Sequence, residues 1–133
     1  MNDNGSVFEL RVVLTVDDFD AAVRLYRDVL GLPPDGAFEG GALFAAGKGT
    51  IEILTRDAAD AVDKLEAGRS LGGPVRIAME VANSEKSGAA METAGAVRLG
   101  GPVTAPWGHR SVRLKTAEGV QLTLFTTPPP ARA

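Results

Sequence analysis

RVVLTVDD, residues 11–18, decides the fold, because RIAMEVAN, residues 76–83, repeats its pattern. Arginine opens both copies. Val12, Leu14 and Val16 align with Ile77, Met79 and Val81, and Asp18 and Asn83 each stand where a helix can begin. A fixed offset that preserves apolar character and the closing cap residue is the mark of an internal duplication. Side chains two apart share a strand face, so Arg11, Val13 and Thr15 form one face of the first copy, matched by Arg76, Ala78 and Glu80 in the second.

Working outward, Val7–Val16 is a valine- and leucine-rich strand after a polar start at residues 1–6. Asp17 or Asp18 then caps a helix whose apolar positions Phe19, Val23, Tyr26 and Leu30 recur every three to four residues, until Gly31 and Pro33-Pro34 stop it. Residues 35–41 form a glycine-containing connection with room for a short strand around Phe38. Strands at 42–46 and 50–54 follow, joined at Gly47-Lys48-Gly49. A phosphate-binding loop is rejected there, since Ala42 stands at the first glycine position and Gly49 replaces the hydroxyl residue after Lys48.

Ala58, Ala61, Val62 and Leu65 give a second helix its apolar face, with Asp57 near the start, Asp60 and Lys64 at i,i+4 spacing, and Gly68 as C-cap. Gly72-Gly73 marks the boundary between modules. The second copy runs from a strand at 75–82 through a helix begun by Asn83 or Ser84. That helix has a narrow stripe of Ala90, Met91 and Ala94, interrupted by Gly88 and ended by Gly95. Strands at 96–99, 109–115 and 120–126 follow, the last two joined at Ala117-Glu118-Gly119, and Pro128 to Pro130 stop the sheet. The division is thus one domain, 1–133, with a first module at 7–56, a linking helix and loop at 57–74, a second module at 75–127 and a tail at 128–133. Strand, helix, then short strands, twice over, is an α+β order that packs helices on one face of a mixed sheet and leaves a cup on the other.

Composition narrows the function. A chain of 133 residues that is 44% hydrophobic and 23% charged can bury its own core. With no cysteine, disulfides, thiolate metal sites and cysteine nucleophiles are excluded, and one histidine excludes any multi-histidine cluster. A net charge of −3 and scattered basic residues speak against nucleic acid. No apolar run has membrane-span length, and the start MNDNGSVFEL lacks the form of a secretory signal, so the expectation is a cytoplasmic protein. The Asn4-Gly5-Ser6 glycosylation match is then a chance one.

LRVVLTVDDFDAAVRLYRDVLGL, residues 10–32, resembles the opening strand and helix of the vicinal oxygen chelate (glyoxalase, bleomycin resistance, extradiol dioxygenase) superfamily. APWGHRSVRLKTAEGVQLTLF, residues 105–125, resembles its closing hairpin. The resemblance implies tandem βαβββ modules forming curved mixed sheets around a cup, commonly as a homodimer. It leaves function open, since the superfamily holds metal-dependent lyases, isomerases, dioxygenases and thiol transferases beside metal-free binders of antibiotics.

In the family's metal enzymes, His or Glu on the first and fourth strands of each module hold the ion, and the resemblance carries those positions to Arg11, Glu52, Arg76 and Thr123. Only Glu52 is a metal donor, as guanidinium offers no lone pair and threonine is a poor ligand, so neither metal nor other cofactor is expected. The implied role is metal-independent binding of a small organic molecule, anionic or aromatic, as in antibiotic or metabolite sequestration. The rival is an enzyme: a cofactor-free isomerase or cyclase with Glu52 or His109 as acid or base, or a metal-dependent lyase with displaced ligands. A third possibility is a closed cup serving protein association.

The expected ligand-binding set is Arg11, Glu52, Arg76, Trp107, His109, Thr123 and Phe125. His109 is read as an acid–base group or as a rim residue; Trp107, Phe44 and Phe125 as ligand platforms or as core packing. Strand parity and the resemblance together send Arg11, Glu52 and Arg76 to one charged cluster, either an anchor for an anionic ligand or a closed salt-bridge network.

Overall fold

The two repeated stretches become the central strands β1 (Val7–Val16) and β5 (Val75–Val81), which pair antiparallel with Val13 opposite Arg76 and Arg11 opposite Ala78. A computed structural model describes residues 7–128 of the chain. The polar start, the Asn4-Gly5-Ser6 match, Pro129, Pro130 and the remainder of the tail lie outside the described residues. The other strands are β2 (Pro34–Phe38), β3 (Gly41–Ala46), β4 (Gly49–Thr55), β6 (Val97–Thr104), β7 (Arg110–Lys115) and β8 (Gln121–Thr126). All eight form one open mixed sheet in the order β2-β3-β4-β1-β5-β8-β7-β6. β1 lies parallel to β4, and β5 parallel to β8, so each half repeats the same wiring.

The outer face carries the helices. α1 (Phe19–Val23) is capped by Asp18, whose Oδ1 accepts from Ala21 N at 3.0 Å, and continues as a π-helical segment, Arg24–Val29. The expected single α-helix thus widens: Leu30 N donates to Leu25 O, one residue beyond α-helical reach. Phe19, Ala22, Val23 and Tyr26 pack on Ala42, Phe44 and Ile53. Phe44 is therefore core. In the second half, α3 (Ser84–Thr93) is capped by Asn83, while buried Ser84 donates its hydroxyl to Arg110 O at 2.7 Å. α3 buries Ser84 and Gly88 rather than the expected stripe; Met91 is partly buried, but Ala90 and Ala94 are exposed. Gly88 lets the helix close on Val112, which a Cβ there would crowd.

The linking helix α2 (Arg56–Ala67) lies on the opposite, cavity face. Thr55 caps it by accepting from Ala58 N, Asp57 lies in its first turn as expected, and Gly68 ends it at φ 77°. Its buried residues are Ala59, Asp63 and Glu66, while of the expected apolar face Ala58, Val62 and Leu65 are partly buried and Ala61 is exposed. The carboxylates reach Arg113 of β7, a guanidinium fully removed from solvent. Arg113 Nη1 donates to Asp63 Oδ1 at 2.9 Å and Nε to Glu66 Oε1 at 2.9 Å and Thr123 Oγ1 at 3.0 Å.

β6 is longer than the expected strand at 96–99, because the chain runs on through Gly100-Gly101-Pro102 with two register shifts. The expected strand stops just before these glycines. Here α2 passes over them so closely that a Cβ on Gly100 would run into the Glu66 carbonyl. Among the described residues no helix is long and apolar enough to cross a membrane.

Removing one partner of a buried ion pair strands the other. Arg113→Ala should therefore lower unfolding stability by about 3–5 kcal/mol. Arg113→Met combined with Glu66→Leu should recover most of that loss in urea denaturation, and a double variant no better than Arg113→Ala would refute the pairing.

Candidate functional site

Alternation along the central strands puts Arg11 and Val13 (β1), Glu52 and Leu54 (β4), Arg76 and Ala78 (β5), and Thr123 and Phe125 (β8) on the cavity face. With α2 above them they enclose a cavity of about 450 Å³, inside the range of roughly 300–1,000 Å³ typical of small-molecule sites. All seven side chains of the expected set line it. Sequence reasoning missed Phe38, Glu39, Leu43, Ser111 and the α2 residues Ala58, Ala61, Val62 and Glu66.

The charged residues sort into two groups. Arg11 Nε bonds Glu9 Oε1 at 3.0 Å and Nη1 bonds Glu52 Oε1 at 3.3 Å; Glu9 also accepts from the Thr50 hydroxyl at 2.8 Å. Arg76, by contrast, pairs with Asp63 of α2 at 3.1 Å. The expected single cluster of Arg11, Glu52 and Arg76 is thus divided, because α2 brings carboxylates that strand parity alone does not reveal. The Arg76 guanidinium is pulled below its ordinary range by burial and then by the Arg113 charge, against the opposing pull of Glu66, Asp63 and Glu52. Its Nε is buried without a hydrogen-bond partner. Arg113 Nη2 also lacks hydrogen-bond geometry, but lies 2.8 Å from Glu66 Oε1, within ion-pair reach.

Arg113, Asp63 and Glu66 were the unread part of the site. Arg113 shares the face of Thr123, its cross-strand partner, and Asp63 and Glu66 are one helical turn apart. Thr123 is absorbed here: it accepts from Arg113 and donates to Glu66 Oε1 at 3.0 Å.

The aromatic side of the cavity is built by a tight turn in which Gly108 N donates to Ala105 O and Ala105 N to His109 O. The turn stacks the His109 ring on Phe125, centroids 4.6 Å apart and planes 15° from parallel, while Trp107 meets His109 edge-on at 6.3 Å. Arg11 lies over the Phe125 ring at 5.2 Å, a cation–π contact. Phe125 is buried, whereas Trp107 is 52% exposed at the rim.

The family's metal positions can be tested on this geometry. Arg11 and Glu52 are paired to each other, Arg76 is committed to Asp63, and Thr123 to Arg113 and Glu66. Among the described residues no three His, Asp or Glu side chains are grouped to hold an ion. The donor set does not fit a metal.

Burial, and then the Arg11 charge, hold the His109 imidazolium down, below the ordinary value near 6.5. The folded state thus favours neutral imidazole, so this contribution to stability is fully present above about pH 6.5 and is lost as pH falls through the folded pKa. His109 is the chain's one histidine, so NMR titration reads it directly. A midpoint below 6.5, rising in Arg11→Met, is expected; a midpoint at or above 6.5 would contradict the environment described.

Comparison with known proteins bears on the same residues. The model of the Glyoxalase/Bleomycin resistance protein/Dioxygenase superfamily matches residues 10–124. No curated protein sequence matches significantly. Solved structures match over nearly the whole chain. A hypothetical protein from Bacillus halodurans is 19% identical, covering 92% of this chain and 96% of its own, with TM-score 0.66. Methylmalonyl-CoA epimerase from Mycobacterium tuberculosis is also 19% identical, with 97% and 94% covered and TM-score 0.64. The Mn(II)-bound glyoxalase from Novosphingobium aromaticivorans is 23% identical, with 95% of this chain but 43% of that one covered, at TM-score 0.60. At these identities the likeness is one of fold. The family match over most of the chain, together with the doubled strand–helix–strand wiring around a cup, makes this chain a member of the glyoxalase/bleomycin resistance protein/dioxygenase superfamily.

Proposed function

We propose that this protein binds a small organic molecule in the cavity without a metal ion, acting in the cytoplasm to sequester an antibiotic or metabolite. The observation that carries the proposal is the Arg11–Glu52 ion pair: a fixed guanidinium neutralises the one metal donor among the four family positions. The space left over is organic in character, walled by Val13, Leu54, Ala78, Phe125 and the α2 side chains. A thermal-shift screen of antibiotics and metabolites in the presence of chelator tests it, with Ala61→Trp, which fills the cavity from α2, as control. A true ligand stabilises the parent protein and not the variant. A ligand that stabilises both equally, or only after metal is added, contradicts the reading.

A second reading, cofactor-free proton transfer, is favoured by one observation: His109 lines the cavity and is held neutral, hence competent as a base, by burial and Arg11. Turnover of a bound compound, abolished by His109→Gln with binding retained, would promote it over sequestration.

The proposal includes a homodimer. α1 covers β3 and β4, and α3 covers β7 and β8, so the outer face of the central strands lies between the helices. Leu10 is 43% exposed there, with Val75 at 55% and Phe8 at 63% nearby, an apolar stripe that a second copy can cover symmetrically. Light scattering behind a sizing column should give a dimer mass that Leu10→Glu reduces to monomer. A clean parent monomer at tens of micromolar would contradict it. Elemental analysis after dialysis should find no stoichiometric zinc, nickel, manganese or iron; a near one-to-one content would overturn metal independence.

A further inference from the structure

We infer that the cavity takes an organic cation, an alkylated ammonium group on an apolar or aromatic body, held by Glu39 and by the rings of Phe38 and Trp107. The inference rests on the small-molecule-binding reading above. Glu39 is the first support. It lines the cavity, is exposed, and among the described residues has neither an ion-pair nor a hydrogen-bond partner. Its backbone is fixed from behind: the carbonyl of the adjoining Gly40 accepts from Thr55 N at 2.9 Å, and a Cβ on Gly40 would stand 2.9 Å from the Ala58 side chain. The turn that carries the free carboxylate is therefore seated on the start of α2.

The second support is the balance of the other charges. Arg11 is paired with Glu9 and Glu52, Arg76 with Asp63, and Arg113 with Asp63 and Glu66. With Glu39 included, five carboxylates stand against three guanidinium groups in and around the cavity, an excess of two negative charges. His109, whose imidazolium is held down by burial and then by the Arg11 charge, does not offset them at neutral pH. An entering cation thus meets a free acid in a field of opposite sign, whereas an anion meets no unmatched arginine.

The third support is the exposed aromatic surface. Phe38 and Trp107 both line the cavity, come from different halves of the chain, and are 47% and 52% exposed. Phe38 is seated by Gly41, since a Cβ on that glycine would fall 2.1 Å from Phe38 Cε2. The faces of Phe and Trp rings attract an ammonium group, Trp most strongly, and also pack on an apolar body. Phe125 already serves the chain's own cation in this way, with Arg11 over its ring.

Calorimetric titration with compounds on a common naphthylmethyl group tests the inference: (naphthylmethyl)trimethylammonium, uncharged naphthylmethanol and naphthylacetate. The ammonium compound should bind roughly tenfold more tightly than naphthylmethanol, and naphthylacetate more weakly than either. Glu39→Gln, which removes the charge from an exposed side chain and keeps its shape, should cut ammonium binding roughly threefold and leave naphthylmethanol unaffected. Trp107→Leu should likewise reduce the preference for the ammonium compound over naphthylmethanol roughly threefold. Naphthylmethanol or naphthylacetate binding as tightly as the ammonium compound overturns the inference. So does a preference undiminished in either variant, or failure of the ammonium compound to bind. Ala61→Trp separates this from the underlying reading: an uncharged or anionic compound that binds as tightly as the ammonium compound, and is lost in that variant, overturns the ligand class while leaving small-molecule binding intact.

Discussion

Arg113 has no solvent contact, and its position is tolerable only because Asp63 and Glu66 descend on it from α2. Much of the site depends on this buried pairing. It fixes the linking helix on the cavity face, where Ala58, Ala61 and Val62 line the cavity. It also engages Thr123, and through Asp63 it sets the position of Arg76. Such a network contributes less to net stability than its distances suggest, since desolvation offsets much of the attraction. Its strength is geometric: each member is stranded if the helix moves away.

A second charged group stands at the family's metal positions. A divalent ion collects donors by its own charge. Here Arg11 supplies a permanent positive charge beside Glu52, further secured by Glu9 and the Phe125 ring. The remaining cavity has apolar side chains beside its charged ones, with His109 pulled below its ordinary range by burial and the Arg11 charge.

Much of this was legible in the sequence, because duplication and alternation are periodic signals. Residues 11–18 and 76–83 point to the two central strands, while the family resemblance sends Arg11, Glu52, Arg76 and Thr123 to one wall, and Phe125 follows by sharing the parity of Thr123. Two features were not legible. The expected strand ends at residue 99, yet β6 continues through Gly100-Gly101-Pro102, where α2, distant in sequence, leaves no room for a Cβ on Gly100. The partner of Arg76 is also not foreseen: helical periodicity draws attention to Ala58, Ala61, Val62 and Leu65, and Asp63 and Glu66 do not enter the sequence reading. Only the partner buried on β7 makes them interior, and a cross-chain ion pair leaves no local pattern.

The central claim is that guanidinium, not metal, occupies the polar heart of the cup. It is tested most directly by crystals grown in excess zinc and examined for anomalous scattering. The account predicts no zinc peak at Glu52, with Arg11 still bridging Glu9 and Glu52. A zinc peak within about 2.0–2.2 Å of a Glu52 oxygen, with Arg11 displaced from it, would contradict the account.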